Sequence, residues 1–319
     1  MRQSLPVSFR IGESFVLAAR RPSGLDAPPH RAYAGPMPEL PEVETVKRGL
    51  SPHLVGARLT RVVANRPDLR FPLPERFVAR LTGARVETLE RRAKYLLAAL
   101  DTGETLVAHL GMTGRFLVGS GQPGAFHFAA GADPKHTHLV FQTSEGTEIA
   151  YNDARRFGYV DLIETRAMAR HPWFAGLGPE PLGEAFTPQH LAEAFRGRSQ
   201  AVKTVLLDQK IVAGLGNIYV CEVLFRSGVD PRTPAGEISR AKLTRIVTVV
   251  REVLTEAIAA GGSTLRDFRD ADGALGYFQH SFRIYGREDE PCLKPGCRGV
   301  VRRITQGGRS TFFCAVCQK

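Results

Sequence analysis

Long hydrophobic runs, cysteines and acidic residues are all scarce in this sequence, and the first two shortages each exclude a class of protein. No run approaches about eighteen apolar residues, which excludes a transmembrane helix. Five cysteines in 319 residues are too few for a disulfide scaffold of this size. The apolar content of 43% and the charged content of 24% are ordinary for globular proteins, so wholesale disorder is excluded as well.

Acidic residues are outnumbered by basic ones. The sequence has 43 lysine and arginine residues against 32 aspartate and glutamate residues, a formal net charge of +11. This excess favours a polyanionic partner, either nucleic acid or an anionic membrane surface, and does not choose between them. The length predicts roughly two domains, each large enough to bury a core.

The first 36 residues differ in composition from the rest. They contain five prolines, five arginines and only two acidic residues. We interpret residues 1–36 as a disordered extension, or as translated upstream sequence that the working protein lacks. A transit peptide, which is also rich in arginine and poor in acid, is the alternative.

Residues 37–168 predict a β-rich domain that starts with one helix. Prolines followed by acidic residues at positions 38–44 suit the amino end of a helix. Strand-like runs follow at residues 58–64, 85–89, 95–100, 105–109, 115–118, 138–143, 147–151 and 157–163. The expected architecture is a β-sandwich.

Residues 169–283 change to the 3.6-residue period of helices. An amphipathic stripe over residues 243–258 ends at two glycines. Residues 201–207 and 218–226 predict two helices joined by a glycine-containing turn, with Asn217 as the N-cap of the second. This arrangement predicts a variant of the helix–turn–helix.

The last segment, residues 284–319, carries two cysteine pairs. Cys292 and Cys297 have four residues between them, and Cys314 and Cys317 have two. Two short-spaced pairs supply the four tetrahedral thiolates that Zn²⁺ prefers, and a module this small needs the metal in order to fold. A zinc ribbon with one structural zinc ion is therefore expected, with disulfides as the alternative.

The same segment has no acidic residue after position 290. Residues 291–319 contain six lysine and arginine residues. A merely solvated charged face normally includes acids, so this pattern predicts contact with phosphates. It favours nucleic acid over a membrane surface as the partner.

Seven segments taken in order are more specific than any of these patterns alone. They are residues 37–44 (MPELPEVE), 92–97 (RAKYLL), 109–114 (HLGMTG), 153–158 (DARRFG), 177–182 (LGPEPL), 212–219 (VAGLGNIY) and the cysteine ribbon. Together they resemble the formamidopyrimidine-DNA glycosylase family, nearly end to end over residues 37–319. The resemblance implies an α+β multidomain fold: an N-terminal β-sandwich with flanking helices (37–168), a helical domain with a helix–two-turn–helix (169–283) and a C-terminal zinc ribbon (284–319).

The resemblance also implies a catalytic activity. The expected enzyme is a bifunctional DNA glycosylase and AP lyase that removes oxidised purines, chiefly 8-oxoguanine and formamidopyrimidines, from duplex DNA. In the family the amino-terminal proline, here Pro38, forms a Schiff base with the sugar, and β,δ-elimination follows. Glu39 is the implied acid–base group, Lys94 supports the target nucleotide, and Arg309, a phosphate contact, completes the implied catalytic set.

Eight residues are implied to contact DNA. Met112, Arg155 and Phe157 would fill the space left by an extruded base, and Arg155 would also read the opposite cytosine. The full DNA-binding set is Glu42, Met112, His136, Arg155, Arg156, Phe157, Lys203 and Asn217. Without the resemblance Met112 is as readily a core residue, and Glu222 is a surface acid rather than a residue near the lesion. Residues 270–286 resemble the loop that covers 8-oxoguanine.

Two departures from the family pattern bear on these expectations. The first cysteine pair has four intervening residues rather than the usual two, a spacing that zinc tolerates. In the sequence as written Pro38 is internal, so its nitrogen is an amide and cannot attack. We expect the active protein to start at Met37 and to expose Pro38 by methionine removal. If residues 1–36 stay attached, a lysine such as Lys94 is the alternative nucleophile.

Two other functions compete with this interpretation. An endonuclease VIII-type glycosylase shares the chemistry but removes oxidised pyrimidines; Leu40 and the segment 155–157 favour the purine enzyme. A non-catalytic zinc protein that binds DNA fits the charge, the glycine turn and the ribbon equally well. The expected protein is a monomer in the cytoplasm, associated with the nucleoid, without a membrane partner.

Overall fold

The computed structural model describes residues 37–119, 133–263 and 278–319. The interpretation of residues 1–36, and the part of the proposed lesion-covering loop at 270–277, therefore lie outside the described residues. Within the described ranges, no helix is both long enough and apolar enough to cross a membrane.

Two four-stranded antiparallel sheets form the amino-terminal part of the described chain. The strands are β1 (Leu59–Ala64), β2 (Val86–Arg92), β3 (Tyr95–Leu100), β4 (Glu104–His109), β5 (Arg115–Gly119), β6 (Thr137–Thr143), β7 (Glu148–Asn152) and β8 (Tyr159–Glu164). One sheet has the order β1-β6-β7-β5 and the other β2-β3-β4-β8. All eight strands lie within three residues of the positions predicted from the sequence.

The two sheets enclose one hydrophobic core, which confirms the predicted sandwich. Alternate side chains of β3 are buried, as the period of a half-buried strand requires. Leu96 and Leu100 from that sheet join Phe116 and Phe141 from the other in a single apolar cluster. The sandwich thus fixes the ends of its strands, including the turn between β2 and β3.

Helix α1 (Leu40–Leu54) connects this core to a second one. Val43, Val46 and Leu50 pack into the sandwich core. Leu40, one turn earlier, is completely buried in the helical core instead. The amino end of α1 therefore lies where the two cores meet.

The second core is made of helices. It is formed by α3 (Pro188–Phe195), α4 (Val202–Leu206), α5 (Asn217–Ser227) and α6 (Arg240–Ala259), whereas α2 (Phe77–Leu81) packs into the sandwich core. Short 3₁₀ turns occur at Pro134–His136, Thr165–Arg170, Ala235–Glu237 and Phe278–Ser281. The buried stripe of α6 matches the sequence prediction. The sequence patterns did not predict α2 and α3, which have five and eight residues.

The cysteine segment folds around one antiparallel hairpin, β9 (Arg302–Gln306) and β10 (Arg309–Phe313). Its small core includes Cys314 and Phe312 and continues into Cys221 and Phe225 of α5. Cys221 is 2% exposed, as predicted for a small buried residue. The ribbon is therefore packed against the helical region, with Arg309 at the start of β10.

Candidate active site

The amino ends of α1 and α5 meet through the side chain of Glu39. Its carboxylate accepts hydrogen bonds from the backbone N–H of Ile218 at 2.9 Å and of Tyr219 at 3.5 Å. It therefore caps α5 and lies at the positive end of that helix dipole. The prediction that Asn217 caps this helix is wrong. Gly216 is the N-cap and has no side chain to offer, so the cap comes from a carboxylate distant in sequence.

Two glycines make this close approach possible. A Cβ at Gly216 would lie 2.2 Å from Cδ of Glu39, and a Cβ at Gly214 would lie 2.7 Å from Cδ1 of Leu40. Gly214 also has φ of +87°, in the left-handed region that favours glycine. Its carbonyl accepts a hydrogen bond from the N–H of Leu40 at 3.1 Å. The glycine segment is thus shaped to receive the amino end of α1.

Gly216→Ala is expected to displace the Glu39 carboxylate from α5. Overpacking of this kind costs about 1–3 kcal/mol, a loss in the free energy of unfolding that urea denaturation would measure. The rate of any reaction step that needs the Glu39 carboxyl group should also fall in this variant. Gly176→Ala is the matched control, because the nearest atom to a Cβ there is Cε of the Lys210 side chain, at 3.7 Å. Equal stability of the two variants would contradict the steric argument.

Burial raises the pKa of the Glu39 carboxyl group to about 7. The charge of Lys94 opposes this rise, Glu42 adds to it, and the N–H groups of α5 oppose it. Only 3% of Glu39 is exposed. A carboxyl group with this pKa gains and loses a proton near neutral pH, as a general acid or base must.

Lys94 interacts with both Glu39 and Arg309, which makes a charged cluster of the three. Burial lowers the pKa of the Lys94 ammonium group; Glu39 opposes this effect and Arg309 adds to it. Lys94 lies in the turn between β2 and β3, and Arg309 lies in the zinc ribbon. The structure thus brings together three groups of the predicted catalytic set from three separate parts of the chain. Pro38, the fourth, is buried and directly precedes Glu39.

Glu42 is the most completely bonded carboxylate of this region. Its two oxygens accept hydrogen bonds from the N–H of Glu39 at 2.9 Å, from the hydroxyl of Tyr219 at 2.6 Å, and from both the N–H and the hydroxyl of Ser263, at 2.8 and 2.9 Å. It is 2% exposed. Its bonds tie α1 to α5 and to the segment after α6, so in the described structure Glu42 fixes the position of Glu39.

Asp153 joins two loops, one between β4 and β5 and one between β7 and β8. They carry Met112, Arg155 and Phe157, the residues predicted to fill the space of an extruded base, which we call the wedge residues. The Asp153 carboxylate accepts the hydroxyl of Thr113 and the N–H groups of Arg155 at 3.3 Å and Gly158 at 2.8 Å. The Thr113 hydroxyl in turn accepts the N–H of Arg155 at 3.1 Å. The sequence analysis did not single out Asp153 as a site residue, although it stands at the start of one of the quoted motifs.

The same two loops also touch through their backbones. A Cβ at Gly111 would lie 2.3 Å from the carbonyl carbon of Phe157. The guanidinium of Arg155 lies 4.8 Å from the centre of the Phe157 ring, and Met112 is partly buried next to Gly111 in the chain. The structure therefore brings all three predicted wedge residues into one unit.

His136 and Arg156 border this unit. The carbonyl of His136 accepts the N–H of Asp153 at 2.9 Å. Arg156 is exposed and has φ of +53°, a left-handed conformation that is rare for a non-glycine residue. A non-glycine residue keeps a left-handed backbone conformation only where its surroundings enforce it, and such residues often occur at functional sites.

Lys203 and Asn217 hold the hairpin that carries Arg309. The Lys203 amine donates to the hydroxyl of Thr311 at 2.7 Å and to the carbonyl of Ser310 at 3.3 Å. The side-chain amide of Asn217 donates to the same carbonyl at 2.9 Å. Lys203 is completely buried. Contact of these two residues with DNA stays a prediction, and in this structure their hydrogen bonds position the ribbon.

Glu222 is buried rather than at the surface. Its carboxylate accepts the N–H groups of Arg283, Ile284 and Tyr285 at distances of 2.9 to 3.1 Å. These residues lead from the described end of the helical region into the ribbon. The interpretation of Glu222 as a surface acid is therefore wrong: it anchors this connection.

The four paired cysteines form the metal site. The ligand atoms of Cys292, Cys297, Cys314 and Cys317 all lie within 4.8 Å of one another. Two of the Sγ–Sγ distances are 3.7 Å. A tetrahedron with Zn–S bonds of about 2.3 Å requires about 3.8 Å between sulfurs. The site fits one structural zinc ion, and the four-residue spacing of the first pair does not prevent this geometry.

Family models match most of the chain. The description "Formamidopyrimidine-DNA glycosylase N-terminal domain" applies to residues 37–160, and "Formamidopyrimidine-DNA glycosylase H2TH domain" applies to residues 177–269. The description "Zinc finger found in FPG and IleRS" applies to residues 289–319.

Individual relatives are similar over nearly their whole length. A formamidopyrimidine-DNA glycosylase of Phenylobacterium zucineum is 61% identical over 287 residues, covering 89% of this chain and 100% of the relative. The crystal structure of MutM (Fpg) from Thermus thermophilus is 40% identical, covers 88% of this chain and 98% of that chain, and gives a TM-score of 0.76. A Lactococcus lactis FPG mutant in complex with Fapy-dG containing DNA is 32% identical, with 88% and 100% covered and a TM-score of 0.78. This chain belongs to the formamidopyrimidine-DNA glycosylase family.

Proposed function

We propose that this protein excises oxidised purines, chiefly 8-oxoguanine and formamidopyrimidines, from duplex DNA and then cleaves the strand as a lyase. The observation that carries the proposal is the buried cluster next to Pro38. There a carboxyl group with a pKa of about 7 lies near a lysine whose pKa burial lowers. Acid–base chemistry at neutral pH needs groups tuned in this way.

The nucleophile in this proposal is the nitrogen of Pro38 as the amino-terminal residue. A neutral secondary amine donates its lone pair to C1′ of the damaged nucleotide as the bond between C1′ and the base breaks. Opening of the sugar ring then leaves an iminium ion between Pro38 and C1′. The iminium accepts electrons when a proton leaves C2′, so the 3′ phosphate and then the 5′ phosphate are eliminated.

Glu39 is proposed to move protons at the deoxyribose. Glu39 directly follows Pro38 in the chain, and its hydrogen bond from the N–H of Ile218 fixes the carboxyl group. Lys94 is proposed to support the target nucleotide electrostatically, and Arg309 to bind its phosphate. The charge of Lys94 acts on Glu39 and that of Arg309 acts on Lys94, which supports a shared role.

Met112, Arg155 and Phe157 are proposed to fill the space left by the extruded base. Their support is the single unit that the two loops form through Asp153 and Gly111. An apolar side chain, a ring and a planar guanidinium suit the replacement of base stacking. Arg155 is proposed to contact the opposite cytosine as well.

The remaining DNA contacts are proposed for Glu42, His136, Arg156, Lys203 and Asn217. Arg156 is exposed beside the wedge, which supports a phosphate contact. The proposal for Lys203 and Asn217 is supported by their hydrogen bonds to the hairpin that carries Arg309. The proposal for Glu42 is supported by its hydrogen bond from the N–H of Glu39. Residues 37–168, 169–283 and 284–319 are proposed as the domains of a monomer that works on DNA in the cytoplasm.

Paired duplexes with one lesion each test this function. The chain beginning at Pro38 is incubated with duplexes that contain 8-oxoguanine opposite cytosine or thymine glycol opposite adenine, with and without borohydride. We expect faster cleavage and more trapped complex with 8-oxoguanine. Faster cleavage of thymine glycol would favour an endonuclease VIII-type enzyme. Binding without any trapped complex would favour a non-catalytic DNA-binding protein.

A further inference from the structure

Glu180 makes an unusual set of contacts with the turn that carries Lys94. It lies in the segment 177–182, between the sandwich and α3. Its carboxylate binds the guanidinium groups of Arg91 and Arg92, each at 2.7 Å, and accepts the backbone N–H of Ala93 at 2.6 Å. Three consecutive residues directly before Lys94 are therefore held by one side chain.

The turn itself is strained. Arg92 and Tyr95 pair across β2 and β3, so Ala93 and Lys94 form a two-residue turn. Ala93 has φ of +53°, in the left-handed region, which is unfavourable for a non-glycine residue. Such a conformation persists only where its surroundings determine it, and the hydrogen bond from Ala93 N–H to Glu180 does so here.

The segment around Glu180 is fixed on its other side to the glycine turn that receives Glu39. The N–H of Gly178 donates to the carbonyl of Gln209 at 2.8 Å, and the N–H of Ala213 donates to the carbonyl of Pro179 at 3.0 Å. Ala213 directly precedes the glycine turn at 214–216. Segment 177–182 thus contacts both the turn that carries Lys94 and the residue before the glycine turn that receives Glu39.

This contact set is partly shielded from solvent, so it is stiffer than an exposed ion pair. The side chains of Arg91, Arg92 and Glu180 are 10%, 28% and 25% exposed. Arg91 also pairs with Glu44 of α1 at 3.1 Å, the helix that Glu39 precedes. Exposed pairs contribute little to stability, whereas charge-assisted and bidentate hydrogen bonds fix geometry.

We propose that Glu180 is a positioning residue that sets the location of Lys94 relative to Glu39. The inference rests on the proposed function for its kinetic readout only. Glu180 touches no reacting atom in this scheme; it acts through the backbone of Ala93 and the two arginines. Loss of its charge leaves Arg91 and Arg92 without a shared partner and releases the strained turn.

Glu180→Gln is the first variant of the test. One carboxylate oxygen accepts from Arg92 and Ala93 and the other from Arg91. A glutamine amide has no charge and only one acceptor oxygen, so its NH₂ group must face a donor at one of these two positions. Misplacement of a catalytic group costs about 10-fold to 100-fold in rate. We expect kcat for 8-oxoguanine removal to fall by that factor, with KM and the affinity for uncleavable duplex within about 3-fold of wild type. Glu164→Gln is the matched control, because it removes one carboxylate from the exposed pair with Arg166.

A second substitution separates positioning from a simple loss of charge. Glycine adopts the left-handed conformation without strain. Ala93→Gly in the Glu180→Gln background is therefore expected to recover most of the lost kcat, because it restores the turn but not the charge. An unchanged kcat in Glu180→Gln, or no recovery on adding Ala93→Gly, would overturn the proposal.

Trp173 gives a readout that does not need activity. It is the only tryptophan in the sequence and stacks on Tyr95, the residue after Lys94, at 6.1 Å and 17°. We expect Glu180→Gln to shift its emission in the absence of DNA, and Ala93→Gly to reverse the shift; unchanged emission would contradict the inference. If the wild-type chain removes no base, the proposed function fails, and this measurement still decides on Glu180.

Discussion

A chain that keeps residues 1–37 ahead of Pro38 is expected to give no borohydride-trapped complex with 8-oxoguanine DNA, whereas a chain beginning at Pro38 gives one. In the longer chain the Pro38 nitrogen belongs to a peptide bond, and its lone pair is delocalised into the carbonyl. At the amino terminus it is an amine, and because amino-terminal amines ordinarily have pKa values of about 8, a useful fraction is neutral at physiological pH. Trapping should therefore fall to background in the longer chain.

The comparison needs both chains to be folded and competent to bind. Intact mass establishes which residue begins each chain, and affinity for an uncleavable abasic-site analogue serves as the control. The family match begins at residue 37, which supports Pro38 as the working amino terminus. Full trapping by the longer chain would contradict the assignment of Pro38, and Lys94 would then be the next nucleophile to test.

Glu39→Gln is expected to reduce base removal by about 10²–10⁴-fold, the usual contribution of a general acid or base. Glutamine keeps the shape of the side chain and accepts the N–H of Ile218, but it cannot gain or lose a proton near neutral pH. DNA affinity should change little, because the side chain is 3% exposed. Single-turnover base release measures the effect.

The pH profile supplies an independent check on the role of Glu39. Burial raises its pKa to about 7, so the protonated form predominates below pH 7 and disappears above it. If Glu39 acts as an acid, the rate falls on the alkaline side with that pKa, while deprotonation of the Pro38 amine raises the rate towards about pH 8. The expected profile is a bell, and Glu39→Gln should lose its alkaline limb.

The control for this variant is a glutamate outside the cluster. Glu87→Gln changes an exposed residue of β2 and should leave both the rate and the bell unchanged. An alkaline limb that persists in Glu39→Gln would assign the pKa to another group. A rate equal to that of wild type would exclude Glu39 from proton transfer.

Local patterns in the sequence were sufficient for most of the fold. The alternation in β3 and the apolar stripe of α6 are visible in the residues themselves, because one buried face repeats every two or every 3.6 residues. The short helices α2 and α3 escaped prediction, since five and eight residues show little of a period; the equally short α4 was predicted because it precedes the glycine turn. The cysteine spacing likewise predicted the zinc ribbon, because its ligands lie close in sequence.

The site was predictable only as a set of residue names, and those came through the family resemblance. Nothing local to Glu39 shows that it caps a helix that begins at Asn217, and the local preference of asparagine for N-caps gave the wrong cap. Nothing local to Lys203 shows that its amine is buried against Thr311. Contacts between distant segments depend on how separate cores pack, which no short pattern encodes.

The sequence by itself determined the strands, the long helices, the zinc ligands and, by resemblance, the residues of the proposed chemistry. Only the tertiary structure decided the state of those residues. Burial at the junction of two cores raises the pKa of Glu39, and Glu180 ties the strained turn before Lys94 to the segment that supports Glu39. The physical reason is that desolvation and long-range hydrogen bonds arise from neighbours in space, and these exist only once the chain has folded.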